Sequence, residues 1–585
     1  MLGALSVGPA WADTLKTVEI RGLPDPLMVD NVRSALSLTD SIGRELSPSR
    51  RDYLVEVAQD EARKALEPFG YFSPEVTVTE GVAGVVVVTI AAGEPVRVDA
   101  VKLAIDGPGG ADDVLKDDLS AFAPTKGAIF NQGIYETSKA RITQRLEDRG
   151  YFDADLVRHD VLVTRAMHDA DIDLAWSSGA RRVLGPVSFV QSPETIINDA
   201  LLQKQVHWKA GQPFDQAKLD ALRATISRLD YFSAIDVASQ PKDADGKSTG
   251  KAVPIIVTLT PAKRSIYTVG LSYGSTSGPG IRLGLERRYL NRRGHKVQVE
   301  LEWARLRKVL ALEYRIPASA WFEGWYAIGA QAVDEQTDYI DNRRIELVGT
   351  RTGEINSHWR AVAGVHWLRE RWAYTAEDDG DPLTPPDYHF ATFLFPSVSG
   401  TYRNVDNLLE PRRGISGTAE LRGGLKAIAS DASFAQMRVQ VRWFHGLGPQ
   451  DRLLVRGEVG HTFTSDVINL PPSLRFHAGG DDSIRGYAWQ EVGPRVGLPG
   501  KRFPIGASNV ITGSIEYERY FTERWGAAVF VDTGSAFENR PDLHTGVGVG
   551  LRWRSPVGPL RIDFARGLDA PDSPFQITLN IGANL

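Results

Sequence analysis

The dipeptide Tyr-Phe occurs at Tyr71-Phe72, Tyr151-Phe152 and Tyr231-Phe232, at intervals of 80 residues, and after the third copy the chain becomes a long series of alternating polar and apolar runs. Recurrence at a fixed period marks one small unit used repeatedly. Three copies of a small domain therefore precede something built from strands. The units are expected at 15–94, 95–177 and 178–262, the strand-rich part at 263–585, and residues 1–14 form a terminal tail.

Ahead of each pair lies an amphipathic helical pattern. In the first copy Leu54, Val57, Ala58, Ala62, Ala65, Leu66 and Phe69 share one face. A shift of 80 keeps that face apolar: Ala62 becomes Ile142 and Leu222, and Leu66 becomes Leu146 and Ile226. Asn131 and Asp215 stand at N-cap positions 84 residues apart, so the third helix is expected to be shorter by four residues, about one turn. After each pair come a short strand (75–79, 155–158, 235–238) and a second β run (85–90, 171–176, 254–260). The unit reads strand, helix, helix, strand, strand, an α+β sheet covered by two helices. Such units serve as spacers, or accept an extended polypeptide by strand addition at a free sheet edge.

From about Lys263 the pattern has period two. Lys296–Trp303, Met437–Trp443 and Phe575–Ile581 alternate strictly, and 415–421, 511–518 and 547–553 do so less perfectly. Sandwiches and membrane barrels both alternate in this way. Three features favour a barrel. Strand patterns continue for 323 residues, which at about 20 residues per strand and connection gives close to 16 strands. Trp303, Trp443 and Trp553 sit at strand ends, where a membrane interface would hold them. The polar face carries Arg, Glu and Lys, costly in a sandwich core but acceptable in a water-filled lumen. Backbone groups in lipid must pair within the protein, so the expected fold is a closed 16-stranded antiparallel transmembrane β-barrel after three α+β repeats.

Composition excludes other classes. No stretch approaches the roughly 18 to 20 apolar residues of a membrane-spanning helix. The net charge of −6 offers no broad basic field for nucleic acid. Cysteine is absent, removing disulfides and thiolate chemistry. Ala10-Trp11-Ala12 has the small-x-small form of a signal-peptidase site, so 1–14 reads as a signal-peptide remnant. There is no His-Glu-x-x-His or phosphate-binding glycine loop, and an enzyme is not expected. His445, His461 and His477 lie on different segments without ligand spacing, Asp481 and Asp482 read as solvated loop acids, and no metal or cofactor is expected.

Gly479-Gly-Asp-Asp-Ser-Ile484-Arg485-Gly486-Tyr487 stands between strand patterns and resembles the Arg-Gly-Tyr/Phe signature of the barrel-assembly superfamily of outer-membrane proteins. Phe530-Val-Asp532-Thr-Gly534 is similar to that family's second barrel motif, and Gly546–Gly550 with Ser555–Leu560 to its closing strands. Asp406-Asn407 with Pro411–Gly414 and the terminal Asn580–Leu585 also resemble family patterns, and the repeats resemble POTRA domains. The resemblance implies that the loop folds back into the lumen, with Asp532 facing Arg485 from the wall and Glu516 as a second candidate. Gly486 would let the backbone pass close to the wall, Tyr487 would pack beside it, and the fixed loop would stabilise the barrel near its seam.

What the resemblance implies for function is an outer-membrane insertase and assembly factor. Three repeats point to the TamA-like members, which assemble autotransporters with a periplasm-spanning inner-membrane partner similar to TamB. Unfolded outer-membrane proteins would be the clients and outer-membrane lipid the surroundings, with the repeats in the periplasm of a Gram-negative cell. The first strand, near Ser265–Tyr273, and the last, near Phe575–Leu585, would meet in a seam that opens if the end around Gly582 leaves the pairing short. The alternatives are a two-partner secretion pore, whose plug helix the roughly 14 residues before the first repeat are expected to be too few to supply, and a passive porin.

Overall fold

A computed structural model of the chain describes residues 14–80, 84–242, 249–274, 278–318, 323–337, 340–374, 387–408, 410–497, 503–555, 558–569 and 575–581. The signal-like Ala10-Trp11-Ala12, and Gly582 with the residues after it, lie outside them. The chain divides into two compact units, residues 1–190, 207–224 and 236–258 forming the first and the remainder the second.

Three small sheets share one plan. The first contains β1 (Thr17–Arg21), helices α1 (Pro26–Ala35) and α2 (Pro48–Leu66), β2 (Glu75–Glu80) and β3 (Val85–Ala91), in strand order β1-β3-β2. The second has β4 (Arg97–Asp106), α3 (Asp113–Ser120), α4 (Gln132–Asp148), β5 (Asp155–Thr164) and β6 (Asp169–Ser177), ordered β4-β6-β5. The third has β7 (Val183–Gln191), α5 (Asp199–Gln203), α6 (Gln216–Arg228), β8 (Phe232–Ser239) and β9 (Ala252–Pro261), ordered β7-β9-β8. In the first two sheets the opening strand runs parallel to the central one and the middle strand of the sequence antiparallel to it.

The expected caps hold the helix starts: Asn131 Oδ1 accepts from Ile134 N at 3.1 Å, and Asp215 Oδ1 from Ala217 N at 3.0 Å. Helix α6 has 13 residues against 17 in α4, as the cap spacing predicts. Ala58, Ala62 and Leu66 bury against Val86, Val88 and Ile90, while Val57, expected on the same face, is only half-buried. Small residues on α2 let it lie close to the sheet, and each fully buried Val or Ile beneath contributes about 1.5–3 kcal/mol. The strand expected at 155–158 extends to Thr164, because His159–Thr164 pairs with Asp169–Leu174 through a tight turn at His168, whose φ is +53°.

The barrel strands are β10 (Ser265–Gly274), β11 (Gly278–Arg287), β12 (Lys296–Ala304), β13 (Arg307–Ala318), β14 (Glu323–Gln336), β15 (Ile340–Glu354), β16 (Trp359–Tyr374), β17 (His389–Val405), β18 (Gly414–Gly424), β19 (Phe434–Gly446) and β20 (Asp451–Thr464). A long loop carrying two-residue strands β21 (Arg495–Val496) and β22 (Phe503–Pro504) follows, then β23 (Asn509–Tyr520), β24 (Trp525–Phe537), β25 (His544–Ser555), β26 (Gly558–Gly567) and β27 (Gln576–Ile581). Sixteen antiparallel strands close into one barrel, β10 through β20 and β23 through β27.

Alternation sorts the side chains. Val269, Leu271, Leu310, Ile328, Val365 and Val529 point outward and are exposed, forming the apolar belt of a lipid-facing wall. Trp303 and Trp443 are exposed at strand ends, and the Trp525 and Trp553 rings stack at 5.2 Å. No described helix is long and apolar enough to cross a membrane.

Closure is uneven. Ten register positions join β10 to β11, fifteen join β15 to β16, and six join β26 to β27. Strands β10 and β27 share a single one among the described residues, Gly274 opposite Thr578.

Candidate functional site in the barrel lumen

Period-two alternation puts Ser514, Glu516 and Glu518 of β23, Asp532 of β24, Arg552 of β25 and Asp563 of β26 on the inner face, all buried. The loop between β20 and β23 folds back over them, tied by bridges between Phe476 and Ala507 and between Ala478 and Val492. It delivers Arg485, itself buried, into this acidic set.

Arg485 donates from Nε to Asp532 Oδ2 at 2.7 Å, from Nη2 to Asp532 Oδ1 at 2.9 Å, and from Nη1 to Glu516 Oε2 at 2.7 Å and Asp563 Oδ2 at 3.1 Å. Its backbone N–H also donates to Asp532 Oδ2, at 3.0 Å, and its guanidinium lies 3.3 Å from the Phe530 ring centroid. Ser514 Oγ donates to Asp532 Oδ1 at 2.5 Å. Arg552 donates to Glu516 at 2.5 Å, Glu518 at 2.8 Å and Asp563 at 2.6 Å. Arg452 pairs with Glu518, and Arg456 reaches Asp532 Oδ2 at 3.3 Å and the carbonyls of Asp481 and Ser483. Four guanidinium groups thus meet four carboxylates. A buried set of this kind is stable only when every charge is paired and hydrogen-bonded, so it fixes one loop position.

Gly486 has a φ of +96°, and a Cβ there would lie 2.5 Å from the backbone carbon of Arg566 on β26. The Tyr487 ring fills the space above Gly567, where a Cβ would meet it at 2.6 Å, and its hydroxyl donates to Thr545 O at 3.3 Å. Ile484 is fully buried in the cluster beneath. On the second-motif strand β24, a Cβ at Gly534 would meet the backbone of Ile511 at 2.5 Å. The loop therefore rests on the last strands before the seam.

Reading the sequence singled out Arg485, Asp532 and Glu516 but passed over Arg452, Arg456, Glu518, Arg552 and Asp563. The inner-face parity of runs such as Leu560-Arg-Ile-Asp563 carried that signal. A second loop anchor was also passed over. Buried Glu370 on β16 accepts from Asn342 Nδ2 at 2.9 Å and from Ser473 N at 3.3 Å, and Arg475 donates to Leu470 O at 2.7 Å and to Tyr374 Oη and Ile505 O at 2.9 Å each.

The repeat residues connect units. Phe72 packs on the core of the second repeat, and Phe152 lies edge-on to Phe214 of the third repeat with centroids 4.8 Å apart. Tyr71 packs on its own unit's core. Tyr231 and Phe232 are buried, and Tyr231 Oη donates to Gly294 O, in the turn between β11 and β12, at 2.5 Å. Burial pushes the Tyr231 phenol well above its ordinary range. Asp481 and Asp482 sit on the luminal loop, His461 Nδ1 meets Asn509 Oδ1 at 2.5 Å, and His445 stacks on Trp443. No cluster of metal-ligating side chains is present among the described residues.

Comparison with known proteins matches residues 290–584 to the Omp85 superfamily domain, 17–90 to POTRA domain TamA domain 1, and 102–174 to the POTRA family described as a surface antigen variable number repeat. Outer membrane protein assembly factor BamA of Nitratidesulfovibrio vulgaris is 23% identical over 381 residues, 63% of this chain and 47% of that protein. Outer envelope protein 80, chloroplastic, of Arabidopsis thaliana is 24% identical over 432 residues, 66% of this chain and 53% of that protein. The chain spans about half the length of these curated relatives. The crystal structure of Haemophilus ducreyi BamA lacking POTRA domains 1–3 superposes with a TM-score of 0.67 at 18% identity, covering 83% of this chain and 99% of that one, a likeness of fold.

Proposed function

Because this chain belongs to the Omp85 superfamily, we propose that it is an outer-membrane protein assembly factor of the TamA type, which folds and inserts autotransporters and other barrel proteins through its seam. The barrel resides in the outer membrane of a Gram-negative bacterium, with the POTRA units in the periplasm. Modules at 15–94, 95–177 and 178–262 receive the client, and the barrel at 263–585 releases it into lipid. A periplasm-spanning inner-membrane protein similar to TamB completes the assembly.

The observation that carries this reading is that β10 and β27 share a single register position among the described residues, where neighbouring strands share six or more. A strand edge left unpaired at that join offers backbone donors and acceptors to an incoming strand. In the POTRA units β2 and β5 are edge strands, and Val157 and Leu162 on β5 are exposed, as strand addition requires. No bond is made or broken. The client's own burial in lipid and backbone pairing drive insertion, and the protein lowers the barrier. The luminal arginine cluster keeps the wall beside the join rigid while the join itself yields.

The test is reconstitution into liposomes with an unfolded autotransporter barrel as client. The full chain is expected to yield heat-modifiable, membrane-inserted client, and the chain lacking residues 15–177 to yield none. Equal yields from both would remove the POTRA units from the mechanism. Client delivered across the bilayer instead of into it would identify a secretion pore.

A further inference from the structure

The strands of the barrel enter at Ser265, so the opposite rim, where β12 ends at Ala304 and β13 begins at Arg307, faces the cell exterior and the outer leaflet; this step rests on the outer-membrane placement above. At that rim one rung of outward-facing residues runs Trp303, Lys308, Asp334, Arg343, Arg371 and Phe390 across β12 to β17. Arg369 lies one rung further into the membrane, opposite Ile345 and Thr392. Four cations therefore gather on a lipid-facing wall, over a groove of 670 Å³ lined by Trp303, Leu310, Ile345 and Phe390.

Two carboxylates answer them. Asp334 accepts from Arg343 Nε at 3.2 Å and lies 3.9 Å from Lys308 Nζ, and Asp341 is 3.6 Å from Arg371 Nη2 while accepting from Tyr388 Oη at 2.7 Å. Arg369 donates to Thr392 Oγ1 at 3.1 Å and has no carboxylate partner among the described residues. Arg343, Arg369 and Lys308 keep donors facing outward, with 52% of the Arg343 and 38% of the Lys308 side chain exposed. On β18 to β20 the outward residues of the same half include Leu421, Met437, Val459 and Phe463, apolar and exposed, together with the ionisable His461. Four of the cations at this rim are gathered in this sector, and Arg566, exposed on β26, is a further outward one outside it.

Charged side chains on a lipid-facing strand are destabilising unless they meet the headgroup layer or a bound anion. A net excess of two positive charges above an apolar groove is complementary to an amphiphile with phosphates over acyl chains. Lys308 to Arg371 spans three interstrand intervals, roughly 14 Å, a width suited to two phosphates on one sugar core rather than to a single phosphodiester. The geometry points to a binding site for a phosphorylated glycolipid of the outer leaflet, lipopolysaccharide, on the outer wall of β13 to β16. The phosphates engage Lys308, Arg343, Arg369 and Arg371, and the acyl chains lie on Leu310, Ile345 and Phe390.

The experiment uses the full chain in detergent with fluorescent diphosphoryl lipid A as the probe and phosphatidylglycerol as competitor. Wild-type protein is expected to bind lipid A and to retain it against a large excess of phosphatidylglycerol. Lys308→Gln with Arg343→Gln and Arg369→Gln is expected to lose roughly 100-fold in affinity, since each basic residue near a membrane surface contributes several-fold. Arg519→Gln, an exposed cation at the opposite rim, is expected to leave binding unchanged. Heat-modifiable migration reports folding of each variant, and if the triple variant fails to fold, Arg369→Gln alone is expected to lose severalfold. Unchanged affinity in a folded triple variant, or displacement by equimolar phosphatidylglycerol, would overturn the assignment.

Discussion

Arg485 and Asp532, on a loop and on the wall strand β24, share three hydrogen bonds of 2.7, 2.9 and 3.0 Å, two from the guanidinium and one from the backbone N–H of Arg485. One carboxylate thus fixes both the side chain and the main chain of the loop. The planar fork is what makes this possible, and a lysine could satisfy only part of it.

Arg485→Ala leaves Asp532, Glu516 and Asp563 buried without their shared cation. Loss of one partner from a buried ionic set costs about 3–5 kcal/mol. The barrel is expected to lose its heat-resistant migration at a markedly lower temperature, with Arg485→Lys falling between. An unchanged transition would remove the loop from the stability of the barrel.

Gly486→Ala places a methyl group against the β26 backbone at a φ of +96°. Strain of about 1–3 kcal/mol, together with that overlap, is expected to push the loop off the wall. Limited proteolysis within residues 479–497 should then cleave the variant in intact membranes and spare the wild type.

Tyr231 is buried, with its phenol raised above the ordinary value of 10. The unfolded chain releases this proton first, so the contribution is fully present below pH 10 and declines as pH rises above it. Stability of the wild type should fall by about 1.4 kcal/mol per pH unit in that window from this group alone. Tyr231→Phe should remove that slope, and at neutral pH it should lose about 0.5–1.5 kcal/mol with the hydrogen bond to Gly294. Parallel pH profiles for the two proteins would contradict this assignment.

Much of the fold could be read from the residues because each part carries its own period. The 80-residue spacing of Tyr151 and Tyr231 set the repeat, and the spacing of Asn131 and Asp215 set the length of α6. Strict alternation in Lys296–Trp303 set both strand and face. The luminal cluster was legible only in part, since Arg552 and Asp563 lie far from the loop motif in sequence and meet Arg485 through barrel closure. Glu370 and Ser473 are 103 residues apart and meet for the same reason. The cationic sector at the outer rim was missed because its members are single outward positions on separate strands, each unremarkable alone.

In the proposed function, the join between β10 and β27 must part for a client strand to enter. The chain has no native cysteine, so Gly274→Cys with Thr578→Cys places a pair across that join without background. The decisive measurement is client assembly by this variant, oxidised and then reduced, in the same liposomes. Assembly is expected to stop in the oxidised form and return on reduction, whereas full assembly by the bridged barrel would contradict the account.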